Sequence, residues 1–234
     1  GLLTGREMTV KTIVTSELLK DISEKYGVKQ YDTLTGFKWI ANMIREKEGT
    51  EKFIVGLEES YGYMIGDFVR DKDSVTSALI IAEMATYLHN QGKTLFDFLV
   101  DIYQEFGFYK ESLVNIYKEG KKGADEIAAM MEGFRNGPPK QLAGSDVTRL
   151  IDYKKLIETD LQKGTEKRIN FPASNVLQFL TADGTKVSVR PSGTEPKIKF
   201  YFSVKEKLND RGGFERLSRS LDEKIEKIKE GLGL

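Results

Sequence analysis

The sequence predicts an α/β chain: an open, mixed α/β sheet domain, then a smaller α+β domain with an antiparallel-rich sheet and two helices. Three observations carry that expectation. A β-α-β-α-β alternation runs through the first 55 residues, the texture changes after Gly107, and a later cluster of strands is closed by one amphipathic helix.

Val10–Thr15 is a β-branched run, and Ser16 is the expected cap of a helix with Leu18, Leu19 and Ile22 on one face. Gly27 stops that helix and Val28–Tyr31 begins a second strand. Thr33-Leu34-Thr35-Gly36 leads into a helix over Phe37–Glu48, expected to pack through Phe37, Ile40 and Ile44. Phe53-Ile54-Val55 is a third strand, ending in Gly56. Parallel connections of this kind place ligand loops at the carboxyl ends of the strands. Helices over Ser74–Gln91 and Thr94–Phe106 follow, each closed by a glycine, Gly92 and Gly107. The first carries an apolar stripe of Val75, Leu79, Ala82, Ala85 and Leu88, with His89 at its end.

Beyond Gly107, Ser112–Lys118 alternates like a half-exposed strand and Ala124–Phe134 reads as a helix. Asn136-Gly137-Pro138-Pro139 breaks the chain. Strands are expected near Asp146–Ile151, Asn175–Leu180, Lys186–Val189 and Lys197–Val204. A last helix presents Phe214, Leu217, Leu221, Ile225 and Ile228 on one side. The expected domains are residues 1–107 and 108–234.

Composition narrows the function classes. The 36 basic and 36 acidic residues cancel, so no global field recruits nucleic acid or an anionic membrane. A nucleic-acid-binding reading also lacks a basic stripe with interleaved aromatics. No apolar run approaches the roughly 18–20 residues that span a bilayer, and residues 1–5 are too short for a signal-peptide core. With no cysteine there is no thiolate nucleophile or thiolate metal site, which fits a cytoplasmic protein. The single histidine, His89, leaves no multi-histidine metal centre.

Two loops carry the chemistry. Arg190-Pro191-Ser192-Gly193-Thr194-Glu195-Pro196 combines an arginine fork, two hydroxyls and a glycine, which together suit an anion. By itself it also reads as a polar hairpin turn between two strands. Directly after the third strand, Gly56-Leu57-Glu58-Glu59-Ser60-Tyr61-Gly62-Tyr63 offers two carboxylates and a hydroxyl, which suit the hydroxyls of a sugar. By itself it also reads as a solvated acidic loop. Adjacent positions on an extended chain point in opposite directions, which argues against a glycosidase acid/base pair.

Together the loops resemble the α-D-phosphohexomutase family, which includes phosphoglucomutase and phosphomannomutase. That family has a sugar loop Gly-x-Glu-Glu-Ser-x-Gly in its third domain and a phosphate loop Arg-x-Ser-Gly-Thr-x-Pro in its fourth. Both occur here in that order, as Gly56–Gly62 and Arg190–Pro196. Lys11–Thr15, Thr33–Lys38 and Arg70-Asp71-Lys72-Asp73 also look like third-domain segments. The resemblance implies interconversion of hexose 1-phosphate and hexose 6-phosphate by the full-length protein, an isomerase-class intramolecular phosphotransferase. It implies that Glu58, Glu59, Ser60, Tyr61 and Gly62 meet the sugar and that Arg190, Ser192, Gly193 and Thr194 hold the phosphate not being transferred. Thr35, Gly36 and Lys72 are further candidate contacts. The family's phosphoserine loop and its Asp-x-Asp-x-Asp-Arg magnesium loop find no counterpart: Leu88-His89-Asn90-Gln91 lacks the serine and proline, and Asp71-Lys72-Asp73 lacks the third acid. The resemblance thus implies a carboxyl-terminal half, without catalytic residues or metal ligands of its own and inactive alone. Its partners would be a hexose phosphate and the missing amino-terminal domains. Mg²⁺ and glucose 1,6-bisphosphate would serve the full-length enzyme, with neither bound by this piece. The alternative is a stand-alone sugar-phosphate-binding regulatory module with the same loops.

Overall fold

The computed structural model describes residues 3–193 and 195–234. They form two compact units, one reaching to Gly107 and including Lys207–Arg211, the other comprising Phe108–Glu206 and Gly212–Leu234.

The first unit runs β1 (Glu7–Thr12), α1 (Leu18–Lys25), β2 (Lys29–Thr33), α2 (Phe37–Lys47), β3 (Lys52–Glu58), β4 (Gly62–Ile65), α3 (Ser74–His89) and α4 (Leu95–Phe106). Its sheet has the order β2-β1-β3-β4, with β1 parallel to both β2 and β3 and with β4 antiparallel to β3. Strand alternation divides β1 between two faces. Met8 and Val10 join Phe37, Ile40 and Ile44 of α2, with Phe53 and Met64, in an apolar core. The opposite face is polar. Thr9 meets Ser23 at 2.9 Å, and the wholly buried Lys11 amine lies 3.0 Å from Glu17 and 2.7 Å from Asp32. Burial works against the charge of Lys11, but the two carboxylates outweigh it and raise its pKa.

Three expectations change. First, β1 starts three residues before Val10 and ends at Thr12, because the parallel ladder to Lys29 and Lys52 recruits Glu7, Met8 and Thr9. Second, α1 begins after Glu17, and Ser16 only receives a 3.3 Å bond from the Leu18 N–H. Third, the apolar stripe expected on α3 is split: Val75, at 78%, Leu79, at 65%, and Ala82 are exposed and Ala85 is half-buried, whereas Leu88 is buried, together with Ser77 from outside the stripe. Helix α3 is apolar on nearly every side, so its spacing defines no direction. Its entry is set instead by Asp73, whose N–H bonds the Tyr63 carbonyl while its side chain caps Val75 and Thr76.

The second unit runs β5 (Phe108–Tyr117), α5 (Gly120–Asn136), β6 (Gln141–Leu142), β7 (Ser145–Asp152), β8 (Ile157–Asp160), β9 (Thr165–Arg168), β10 (Leu177–Thr181), β11 (Lys186–Pro191), β12 (Lys197–Glu206) and α6 (Phe214–Gly231). All its strand pairs are antiparallel, in the order β5-β12-β11-β10-β7-β8-β9, with β6 on β7. Phe179, Val187, Val189, Ile198, Phe200 and Phe202 are buried from the sheet, Ile127 and Met131 from α5, and Leu221, Ile225 and Ile228 from α6. Phe134 of α5 meets Phe200 edge-on at 5.9 Å. The sequence reading misses β6 and the β8–β9 hairpin.

Candidate ligand-binding loops

In the first unit the carboxyl ends of β1 and β3 converge. Gly56 and Leu57 belong to β3, so the strand does not end at Gly56 as the sequence suggests. Glu58 pairs with Gly62 across a hairpin whose loop is Glu59-Ser60-Tyr61. Three-residue hairpin loops favour a left-handed last residue, and Tyr61 has φ 58°. The backbone thereby lifts Tyr61 into solvent, 89% exposed, beside an exposed Ser60.

The adjacent carboxylates separate, as strand alternation requires. Glu58 is 8% exposed; its Oε1 accepts the Gly36 N–H at 2.5 Å and its Oε2 lies 3.4 Å from the Lys72 amine. Gly36 caps α2 with φ 114°, a conformation that favours glycine, so Glu58 sits at the positive end of that helix. The Lys72 amine also stands 5.9 Å from the centre of the Phe37 ring. Glu59 turns the other way, where its Oε2 accepts from Thr12 at 3.0 Å and Thr15 at 3.5 Å. Gly62 fits where nothing larger does: a Cβ there would stand 2.6 Å from the Phe37 ring and 2.8 Å from the Lys72 chain. Glu58, Gly36, Lys72 and Gly62 thus share one spot, with Thr35 half-buried next to Gly36.

In the second unit, β11, which carries Arg190 near its end, is joined to β12 by the turn that follows Pro191. The Ser192 N–H bonds the Lys197 carbonyl at 2.8 Å, and the Lys118 N–H bonds the Pro196 carbonyl at 2.9 Å. Thr194 lies outside the described residues. Ser192, Gly193 and Lys197 line a cavity of about 330 Å³ against Ala124 and Ile127 of α5. Asn175 also lines it, oriented by Arg135, which donates to its Oδ1 at 2.8 Å. Arg190 does not line that cavity. It pairs with Lys199, and the neighbouring Val189–Phe200 and Pro191–Ile198 pairs put these two cations on the sheet face opposite the apolar core. Among the described residues neither cation has an ion-pair partner. Lys197 is held by Glu195, whose hydrogen bond raises its pKa while the charge of Arg190 works in the opposite sense.

Residues 2–106 match the family description "Phosphoglucomutase/phosphomannomutase, alpha/beta/alpha domain III" and residues 146–210 match "Phosphoglucomutase/phosphomannomutase, C-terminal domain". The chain belongs to the phosphoglucomutase/phosphomannomutase family. It is 39% identical over 200 residues to the phosphoglucomutase of Staphylococcus haemolyticus, covering 86% of this chain and 36% of that protein. It is 41% identical over 198 residues to a phosphoglucomutase of Staphylococcus aureus, covering 85% and 36%. This chain therefore spans little more than a third of these relatives. Among solved structures, the fold matches the open form of the exocytosis-sensitive phosphoprotein parafusin, a phosphoglucomutase from Paramecium. The TM-score is 0.60 at 20% identity, over 97% of this chain and 38% of that one.

Within this phosphoglucomutase/phosphomannomutase frame, sequence reasoning passed over Lys199. Alternation within the strand from Lys197 puts it on the face of Lys197, a signal present in the sequence, but its pairing with Arg190 depends on hairpin register. It also passed over the tie between Glu58 and Gly36, which joins residues 22 positions apart.

Proposed function

We propose that this chain is the sugar-hydroxyl and distal-phosphate binding half of a phosphohexomutase that interconverts hexose 1-phosphate and hexose 6-phosphate. The observation that carries the reading is Glu58, buried and fixed by Gly36 and Lys72, at the foot of an exposed Ser60-Tyr61 turn. A carboxylate already oriented by a helix N-terminus accepts hydrogen bonds from ring hydroxyls without further ordering. Ser60 adds a hydroxyl that donates or accepts, and the exposed Tyr61 offers a ring to the sugar. Arg190 with Lys199, and Ser192 and Gly193 with Thr194 next in sequence, supply positive charge and donors for a phosphate. Holding the remote phosphate orients the substrate for chemistry carried out by other residues.

In this reading Asp71 and Asp73 do not serve as magnesium ligands. Asp73 is occupied as the cap of α3, Asp71 accepts the Lys72 N–H at 2.7 Å, and a lysine stands between them. Among the described residues there is no group of three or more acids or histidines able to hold a metal ion. In this reading the transferring serine, Mg²⁺ and the use of glucose 1,6-bisphosphate belong to the preceding domains of a full-length cytoplasmic enzyme. The chain alone then binds hexose phosphate weakly and does not isomerise it.

An amide NMR titration with glucose 6-phosphate, repeated on Arg190→Ala, tests this. Shifts are expected at Glu58–Gly62 and at Arg190–Gly193, those of the second loop vanishing in the variant. Silence of both loops at millimolar ligand refutes binding, and turnover of glucose 1-phosphate by this chain refutes its inactivity.

A further inference from the structure

We propose that the outward side of α3 is the docking surface for the polypeptide that precedes the matched region in the longer relatives. The inference rests on reading this chain as the carboxyl-terminal half of such a protein, and it assigns a surface that neither ligand loop uses. Val75, Leu79, Ala82 and Thr86 recur at helical spacing and are all exposed, on the side of α3 opposite the buried Ser77 and Leu88. Ile80, at 41%, and Tyr87, at 66%, widen the strip. Across its sixteen residues α3 carries one acid, Glu83, and one histidine, His89.

A surface helix normally turns a charged face to water, and a helix apolar all round is normally enclosed. Among the described residues, β4 and α4 enclose the side of α3 that carries Ser77 and Leu88. A strip of this kind marks an interface. Its occupant follows from the comparisons. The matched regions are the third domain and the C-terminal domain, and the relatives are nearly three times as long as the part matched. A segment joined covalently ahead of β1 meets α3 at an effective concentration of about millimolar. A second copy of this chain must reach the same concentration in free solution, so the tethered segment prevails.

Absence of cysteine from the sequence makes the test direct. Leu79→Cys is placed in this chain and in a full-length Staphylococcus aureus phosphoglucomutase whose matched region has been replaced by this chain. Thiol alkylation at that position is followed by mass spectrometry of its peptide. Alkylation is expected to be fast and independent of concentration in this chain, and at least about tenfold slower in the longer one, where burial excludes the reagent. Leu79→Lys provides the second readout. It should lower the Tm of the longer protein by several degrees and leave that of this chain unchanged, since the lysine is desolvated only when the surface is covered. Equal alkylation rates in the two proteins overturn the proposal, as does a Tm indifferent to lysine in both. Protection that appears in this chain alone and grows with its concentration assigns the surface to a second copy and overturns it too. The glucose 6-phosphate titration of the Arg190 loop is independent of α3. Its failure would strike the mutase reading, while protection of the thiol in Leu79→Cys would still support docking.

Discussion

The two candidate loops are prepared in opposite ways. In the first unit the polar groups of the sugar loop are tied to the protein: Glu58 to Gly36 and Lys72, Glu59 to Thr12 and Thr15. In the second unit Arg190 and Lys199 stand side by side on adjacent strands without an acidic partner among the described residues. Like charges directly opposite on a sheet are destabilising. The polar groups of one loop are held by the protein itself, and the other keeps two like charges on paired residues, a repulsion that an anion would relieve. If the proposed function holds, a hydroxyl site and a phosphate site on one chain place their costs at different steps, the first at folding and the second at binding.

The largest expected effect comes from breaking the tied loop at its tightest point. Gly62→Ala forces a Cβ into the Phe37 ring and the Lys72 chain, and overpacking of this kind costs about 1–3 kcal/mol. A thermal melt should show that loss, together with loss of the Glu58–Gly62 response to glucose 6-phosphate. Arg190→Ala should act on binding instead. Its affinity for glucose 6-phosphate by calorimetry should fall about tenfold or more, as befits a charge-assisted pair, with no loss of Tm. Lys199→Gln sharpens the contrast: stability should rise by a few tenths of a kcal/mol, roughly the scale of cross-strand pairs, while phosphate binding weakens by less than in Arg190→Ala. If either cation variant melts well below the parent, the cations are part of the packing and the comparison fails.

The smallest effect is one of pH. Hydrogen bonds from the Thr4 hydroxyl and N–H, with the Gly5 N–H, hold the Glu7 carboxyl at about 2, below its ordinary 4.5. A depressed acid contributes stability that is complete above its unfolded value and lost as pH falls through its folded value. The stability gap between the parent and Glu7→Gln should therefore be full at neutral pH and close between pH 4.5 and 2. Acid denaturation of both proteins measures it, and a gap constant over that range would contradict the assignment.

What the sequence revealed follows from how local each signal is. Helix α2 was legible because Phe37, Ile40 and Ile44 form one stripe against polar neighbours, and all three are buried. The seating of α3 was not, because a helix without a polar side gives its periodicity nothing to contrast with. The β8–β9 hairpin was missed because its strands, Ile-Glu-Thr-Asp and Thr-Glu-Lys-Arg, carry a single apolar residue and lie at the sheet edge. Both ligand loops could be found as motifs. Which members meet depended on pairings across the fold: Glu58 with Gly36, Arg190 with Lys199.

Tyr61 has a consequence for anyone altering this protein in the laboratory. A side chain other than glycine in the left-handed region costs about 1 kcal/mol or more, and an 89% exposed ring recovers little of that by packing. A screen that rewards heat resistance alone would exchange Tyr61 for asparagine, which tolerates that backbone. If the proposed sugar contact holds, a screen that rewards binding of hexose phosphate would keep the ring. Libraries sorted both ways would diverge at this position first, which makes Tyr61 a marker of which pressure a variant has experienced.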